Sequence, residues 1–248
     1  MTKSILITGA SRGIGRATAL KAGRLGWSVG VNYLKDVTAA EAVRDEIIGA
    51  GGTACLLQGD VSVEADVEGF FGTAWDQFGG LDCVVINAGF VAPMSRLADM
   101  SVQRMKRVFD VNIMGAYLCA RAAARRMPRD RGGRGGSIVL VSSLAARMGS
   151  ANQYVEYAGS KGATDTLTIG LAKELAPAGV RVNAVRPGLI DTEIHATSGD
   201  PTRARVIGAQ TPMGRAGTAD EIAEAILWLA GDASSYVTGS FIDAGGGR

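Results

Sequence analysis

The feature that most constrains this chain is an alternation of short apolar runs with longer segments of helical period. Runs at 5–8, 28–33, 53–58, 83–87, 137–142, 181–185 and 241–243 are too short for ordinary helices, and most are rich in the residues that suit a pleated surface. Helical patterns at 14–25, 38–50, 63–78, 102–127, 156–176 and 219–229 separate them, the second closing on Gly51-Gly52, a natural C-terminal stop. Strands joined through helices run parallel, and a parallel sheet has both faces covered. The expected fold class is therefore α/β: a doubly wound, mostly parallel seven-stranded sheet with helices on both faces. No internal repeat or linker divides the pattern, and the Gly-rich stretch 132–136 leads straight into another strand. At 248 residues the chain is expected to form one domain over 1–248.

Composition removes several function classes. A net charge of +2 is too small to point to nucleic acid or a membrane surface. Arginine is dense only across 125–134, where a solvated connection is the better reading than an anion patch. Cys55, Cys83 and Cys119 have neither metal-ligand spacing nor a disulfide framework, and they read as reduced core residues. His195 stands alone, so no multi-histidine metal site is expected, and it reads as a loop residue rather than a base. After Met1, Thr2 and Lys3 comes a short strand rather than a signal-peptide core, and no run reaches about 18 apolar residues. The expectation is a cytoplasmic protein with no membrane, nucleic-acid or metal partner.

Chemistry begins at the first turn. The 35 glycines cluster at turns, and Thr8-Gly9-Ala10-Ser11-Arg12-Gly13-Ile14-Gly15 lies between the first strand and the first helix. Glycine lets the backbone approach a ligand closely, and a helix N-terminus offers free N–H groups and partial positive charge to a pyrophosphate. The spacing, Gly-x-x-x-Gly-x-Gly, departs from the usual Gly-x-Gly-x-x-Gly, so position between strand and helix carries the dinucleotide reading. NAD-binding folds usually place a carboxylate near the end of the second strand, about 20 residues on. Here that strand ends Val31-Asn32-Tyr33-Leu34, and Asp36, behind Lys35, lies too far along. Arg12 is suited to pair with a 2′-phosphate. NADP(H) is favoured over NAD(H), which stays open.

Tyr157 and Lys161 stand four apart at the start of a helix and project from one face. A nearby ammonium favours phenolate, and a lowering of ~2 to 3 pKa units would correspond to roughly 3–4 kcal/mol. That brings Tyr157 toward general acid–base work. Tyr154 has Ala158 in the corresponding place and lacks the cation. Ser142-Ser143 and Asn87-Ala88-Gly89 end strands at the carboxyl edge, where open α/β sheets bind ligands. Asn112, inside the helical pattern 102–127, reads locally as an exposed amide without a role.

Taken in order, Thr8 to Gly15, Gly59-Asp60-Val61, Asn87-Ala88-Gly89, Asn112, Ser143, Tyr157-Ala158-Gly159-Ser160-Lys161, Pro187-Gly188 and Tyr236-Val237-Thr238-Gly239 resemble the short-chain dehydrogenase/reductases over essentially the whole chain. The resemblance implies a Rossmann fold and hydride transfer between nicotinamide and a carbonyl or alcohol. It places the cofactor against Gly9, Ser11, Arg12, Gly13, Ile14, Gly15, Asn32, Tyr33, Asp60, Val61, Asn87, Ala88, Gly89, Tyr157, Lys161, Pro187, Gly188, Ile190 and Thr192. It also implies a catalytic set. Tyr157 is the acid or base, Lys161 binds nicotinamide ribose and lowers the phenol's pKa, Ser143 orients the reacting oxygen, and Asn112 holds a relay water.

Two departures bear on this. One more residue than usual separates Ser143 from Tyr157, which keeps Ser142 as an alternative for the serine role. The tail reads Asp243-Ala244-Gly245-Gly246 where the family often has Asp-Gly-Gly. Segment 189–215, with Gly199, Pro201, Gly208 and Pro212, is expected to form a substrate lid with a short helix, on which Arg203 and Arg205 read as a solvated face. The substrate is left among 3-oxoacyl thioesters, sugars and small ketones. The resemblance implies a homotetramer. A nicotinamide sensor without turnover is the rival reading, disfavoured by the complete Asn112, Ser143, Tyr157 and Lys161 set.

Overall fold

A computed structural model of the chain describes residues 2–192 and 203–248, apart from the side chains of Arg203 and Arg205. His195, Gly199 and Pro201 lie outside the described residues. The order is β1 (Ser4–Ile7), α1 (Gly13–Arg24), β2 (Ser28–Tyr33), α2 (Val37–Gly49), β3 (Thr53–Gln58), α3 (Glu64–Phe78) and β4 (Cys83–Ile86). Then come α4 (Val102–Phe109), a π-helical turn (Asp110–Met114), α5 (Gly115–Arg126), β5 (Gly136–Val141), α6 (Ala145–Met148) and α7 (Val155–Leu175). The chain ends with β6 (Val180–Pro187), β7 (Ile190–Asp191), α8 (Arg203–Gly208), β8 (Gly217–Thr218), α9 (Ala219–Ala230) and β9 (Phe241–Ala244).

Seven strands form one sheet in the order β3-β2-β1-β4-β5-β6-β9. Among the described residues every pairing in it is parallel. Period-two alternation divides its side chains between two cores. Leu6, Val84, Ile86, Ile138 and Leu140 pack with Phe70 and Phe71 of α3 and with α5. Ile5, Ile7, Cys83, Val85, Val139 and Val141 pack with Ala19 of α1, Val43 of α2 and Ile226 of α9. Fully buried faces explain why these strands read as nearly continuous apolar runs.

The helices start and stop for visible reasons. A reciprocal capping box opens α9: Thr218 Oγ1 accepts from Glu221 N (3.2 Å), and Glu221 Oε2 accepts from Thr218 N (2.8 Å). Gly79, at φ 64°, ends α3 in the left-handed region. One expected element differs. The pattern 102–127 is not one regular helix, because its middle widens into a π turn that carries Asn112. The sheet reverses its winding between β1 and β4, and the segments leaving these strands open a crevice at their carboxyl ends.

Candidate active site

A cleft of about 920 Å³ occupies that crevice. Its lining takes in Gly9, Ser11, Arg12, Gly13 and Ile14 from the first turn, and Asn32 and Tyr33 from the end of β2. Asp60 and Val61 follow β3, Asn87, Ala88 and Gly89 follow β4, and Ser143, Tyr157 and Lys161 come from β5 and α7. Pro187, Gly188, Ile190 and Thr192 complete it. Nearly every sequence-predicted site residue therefore meets in one place. Gly15 and Asn112 stand behind the wall.

The turn after β1 is cross-braced. Thr8 Oγ1 accepts from the backbone N–H groups of Asn87 (2.9 Å) and Ala88 (3.0 Å). Asn87 Nδ2 donates to the carbonyls of Thr8 (2.8 Å) and Gly9 (3.1 Å), so β1 and β4 are locked at the switch point. Gly9 and Gly13 have φ of 63° and 54°, where an L side chain is strained. A Cβ on Gly15 would run into the Gly9 carbonyl oxygen and lie 2.7 Å from Asn87 Nδ2. No side chain caps the N-terminus of α1, so the orphan N–H groups and helix dipole face the cleft as an anion site. This backbone cradle and the donor set fit a dinucleotide pyrophosphate.

At the adenosine end Asn32 has turned inward. Its Oδ1 accepts from Gly9 N (3.1 Å), and its Nδ2 donates to the carbonyls of Leu57 (2.9 Å) and Gly59 (3.3 Å). Its side chain is a brace between β2, β3 and the glycine turn. Asp36 caps α2 by accepting from Ala39 N at 3.0 Å. Arg12 and Lys35 line this end, are exposed and make no ion pair among the described residues. Asp60 bonds Ser62 N (2.9 Å) and Ser62 Oγ (2.6 Å) and faces Arg107 at 3.6 Å. Burial raises the Asp60 carboxyl, but the Ser62 hydrogen bonds and the Arg107 charge outweigh it, and its pKa falls below the ordinary value. Sequence reasoning missed Lys35 and Arg107 as cleft residues. Lys35 had a signal, a cation just after β2, whereas Arg107 meets Asp60 only through tertiary packing.

The reacting end centres on Tyr157, half-buried in the wall, with Ser143 in the same lining. Lys161 Nζ donates to the Val141 carbonyl at 2.7 Å and lies 5.7 Å from the centre of the Tyr157 ring. Burial pushes the lysine down to about 8, opposed by the charge of Asp165. The expectation of a lowered phenol is corrected here. Burial pushes the Tyr157 phenol above its usual value, and the hydrogen bond from Ser143 recovers only part. The physical reason is burial, which penalises the charged phenolate, while the Lys161 ammonium donates to the Val141 carbonyl.

The two serines separate cleanly. Both line the cleft, but Ser142 is buried and its hydroxyl is engaged by Asp165 Oδ1 at 2.6 Å, whereas Ser143 stands on the Tyr157 side. Asn112 corrects its local reading as an exposed helix amide. It is 2% exposed; its Oδ1 accepts from Phe90 N (2.7 Å), and its Nδ2 donates to Phe90 O (2.9 Å) and Ser160 Oγ (3.0 Å). The π turn rotates it inward, where it ties the segment after β4 to α7.

Elsewhere, the arginines of α5 are matched. Arg121 pairs with Glu64, and Arg125 and Arg126 pair with Glu68 at 3.0 and 2.7 Å. The three cysteines are free, and burial raises Cys55 to about 11 and both Cys83 and Cys119 to about 12. Among the described residues no helix is long and apolar enough to cross a membrane.

A glycine cradle at the switch point and a Ser–Tyr–Lys cluster at the same sheet edge define a dinucleotide-linked redox site. Known proteins agree. The family profile described as enoyl-(acyl carrier protein) reductase matches residues 9–248. The uncharacterized oxidoreductase YgfF of Escherichia coli K12 is 50% identical over 98% of this chain and 98% of that protein. An L-rhamnose 1-dehydrogenase (NAD(P)(+)) of Sphingomonas sp. SKA58 is 39% identical, over 99% of this chain and 95% of the relative. The crystal structure of a short-chain type dehydrogenase/reductase from Mycobacterium marinum superposes with a TM-score of 0.92 at 38% identity, over 99% of this chain and 94% of that one. The chain belongs to the short-chain dehydrogenase/reductase family, whose members are oxidoreductases that use a nicotinamide cofactor.

Proposed function

We propose that this oxidoreductase is an NADP(H)-dependent reductase of a small carbonyl compound. The observation that carries this reading is that Ser143, Tyr157 and Lys161 line one wall of the same cleft, with Lys161 Nζ 5.7 Å from the centre of the Tyr157 ring. When bound, the nicotinamide supplies the hydride. Ser143 orients the substrate oxygen, and Tyr157 gives it a proton as the alcohol forms. Burial raises the Tyr157 phenol above its ordinary value, which favours the protonated form that a proton donor needs. The Lys161 ammonium, in the same wall, is in place to hold ribose hydroxyls. Asn112 fixes Phe90 and Ser160 against each other, so its side-chain amide acts in positioning. Such a poised acid has no use in a sensor.

NADP(H) is favoured because Arg12 and Lys35 flank the end of β2, where Asn32 is engaged inward and Asp36 is engaged as a helix cap. NAD(H) remains the second cofactor to test. Asp60 and Val61 hold the adenine, while Asn87, Ala88, Gly89, Pro187, Gly188, Ile190 and Thr192 shape the nicotinamide end. On this reading the chain is a single catalytic domain; of the substrate lid expected over 189–215, residues 193–202 lie outside the described residues. The substrate end mixes Val91, Leu144, Met148 and Ile207 with Gln153 and Gln210, which suits a compact, partly polar carbonyl compound such as a sugar or small ketone. A carrier-borne 3-oxoacyl thioester is less favoured because Glu64 and Glu68 neutralise Arg121, Arg125 and Arg126, beside the chain's densest run of arginines. Exposed Phe109, Met114, Tyr117 and Ile169 support a homotetramer.

The test is loss of NADPH absorbance, with NADH alongside, over sugars, small ketones and 3-oxoacyl thioesters. Oxidation that prefers NADPH and disappears in Tyr157→Phe, with NADPH affinity retained, is expected. Turnover that survives in Tyr157→Phe would overturn the mechanism, and a preference for NADH would overturn the cofactor assignment.

A further inference from the structure

One turn beyond Lys161, on the face of α7 that bears Tyr157, stands Asp165. It does not line the cleft, and its side chain is 14% exposed. Its Oδ1 accepts from Ser142 Oγ at 2.6 Å, and its Oδ2 accepts from Arg186 Nε at 3.0 Å. Ser142 Oγ also lies 3.3 Å from the Lys161 carbonyl. Arg186 in turn reaches Asp243 of β9 at 3.2 Å and stacks over Phe241 at 3.8 Å, and Arg147 of α6 closes on the same Asp243. One carboxylate therefore joins three segments of the site. These are the end of β5 beside Ser143, the helix of Tyr157 and Lys161, and β6 just before Pro187-Gly188.

The charges around Lys161 are few. Its own helix presents Tyr157 and Asp165. From β5 come the neutral Val141, Ser142 and Ser143, and from the segment after β4 and the π turn come Gly89, Phe90 and Asn112. Arg186 from β6, Asp243 from β9 and Arg147 from α6 lie beyond Asp165 in the network. Asp165 is thus the nearest anion in that set, and its attraction opposes the burial that drives the lysine down to about 8.

We propose that Asp165 is a positioning residue of this site, holding the serine-bearing strand end against the catalytic helix and supplying the negative charge that keeps Lys161 an ammonium. Arg186 fixes the carboxylate and competes for its charge. The assignment rests on the proposed function only in that Lys161 matters to turnover.

The chain has six lysines, so NMR of lysine ε-carbons gives few signals, and the one missing in Lys161→Met identifies Lys161. Titrating the protein without cofactor or substrate should give a midpoint near 8. Asp165→Asn should lower the midpoint by roughly one unit, the order expected of losing an opposite charge one helical turn away. Arg186→Gln, which frees Asp165 from its competitor, should raise it. A merely structural brace would leave the Asp165→Asn midpoint where it is in wild type, and that result overturns the proposal. Should Asp165→Asn fail to fold, the double variant Asp165→Asn with Arg186→Gln leaves neither charge of the pair alone: a midpoint below that of Arg186→Gln supports the proposal, and an equal one overturns it. Because the readout needs no turnover, silence in the carbonyl panel beside a shifting Lys161 would sink the proposed function and leave this placement standing.

Discussion

Lys161 costs the protein stability, and Lys161→Met should reveal it. Burial lowers its pKa from 10.5 to about 8, which at 1.36 kcal/mol per unit is a penalty of about 3 kcal/mol for carrying the charge at neutral pH. Methionine keeps the unbranched stem and drops the ammonium, but it leaves the Val141 carbonyl without its 2.7 Å donor, a loss of ~1–2 kcal/mol. The net expectation is a gain of about 1–2 kcal/mol, or a Tm higher by roughly 2–8 °C for a chain of this size. The pH dependence has a definite sign. Between about 8 and 10.5 the unfolded lysine is still protonated while the folded one is not. The unfolded state then binds more protons, and wild type gains stability as pH rises through that window. The advantage of Lys161→Met is therefore full below pH 8 and fades toward 10.5. Calorimetry of both proteins at pH 7 and pH 10, without cofactor so that ligand binding does not add to one side, makes the measurement. A variant less stable than wild type at pH 7, or an advantage unchanged at pH 10, would refute the reasoning. Activity is expected to be lost in the same variant, the usual exchange of stability for a functional group.

Two further outcomes follow from packing. Gly15→Ala should weaken NADPH binding at least about tenfold, roughly 1.4 kcal/mol, since the new Cβ meets the Gly9 carbonyl rather than a movable side-chain tip; calorimetric titration giving an unchanged Kd would refute the cradle. Arg104→Met should cost ~3–5 kcal/mol in urea unfolding, because it leaves Glu156, whose side chain is 1% exposed, buried without the 2.6 and 2.9 Å bonds from Arg104. Adding Glu156→Gln should return much of that loss, and a double variant as unstable as the single one would show that the charge was not the cause.

Much of this protein could be read from residue order because the relevant signals are local. Short β-branched runs that alternate with helical periods require a parallel sheet covered on both faces, and all seven expected strands are present in it. The glycine turn is a backbone requirement written into residue type, and Tyr157 and Lys161 share a helix face by spacing alone. What only the tertiary structure decided is where side chains point when the partner is distant in sequence. A π turn swings Asn112 inward onto Phe90 and Ser160. Between two adjacent serines, it is Asp165, 23 residues after Ser142, that claims Ser142 and leaves Ser143 to Tyr157. Arg107 enters the cleft by meeting Asp60 across elements. The phenol rises rather than falls because its burial is a property of the packed site. Spacing along a helix brings two groups to one face, but the third dimension sets the electrostatic balance between them.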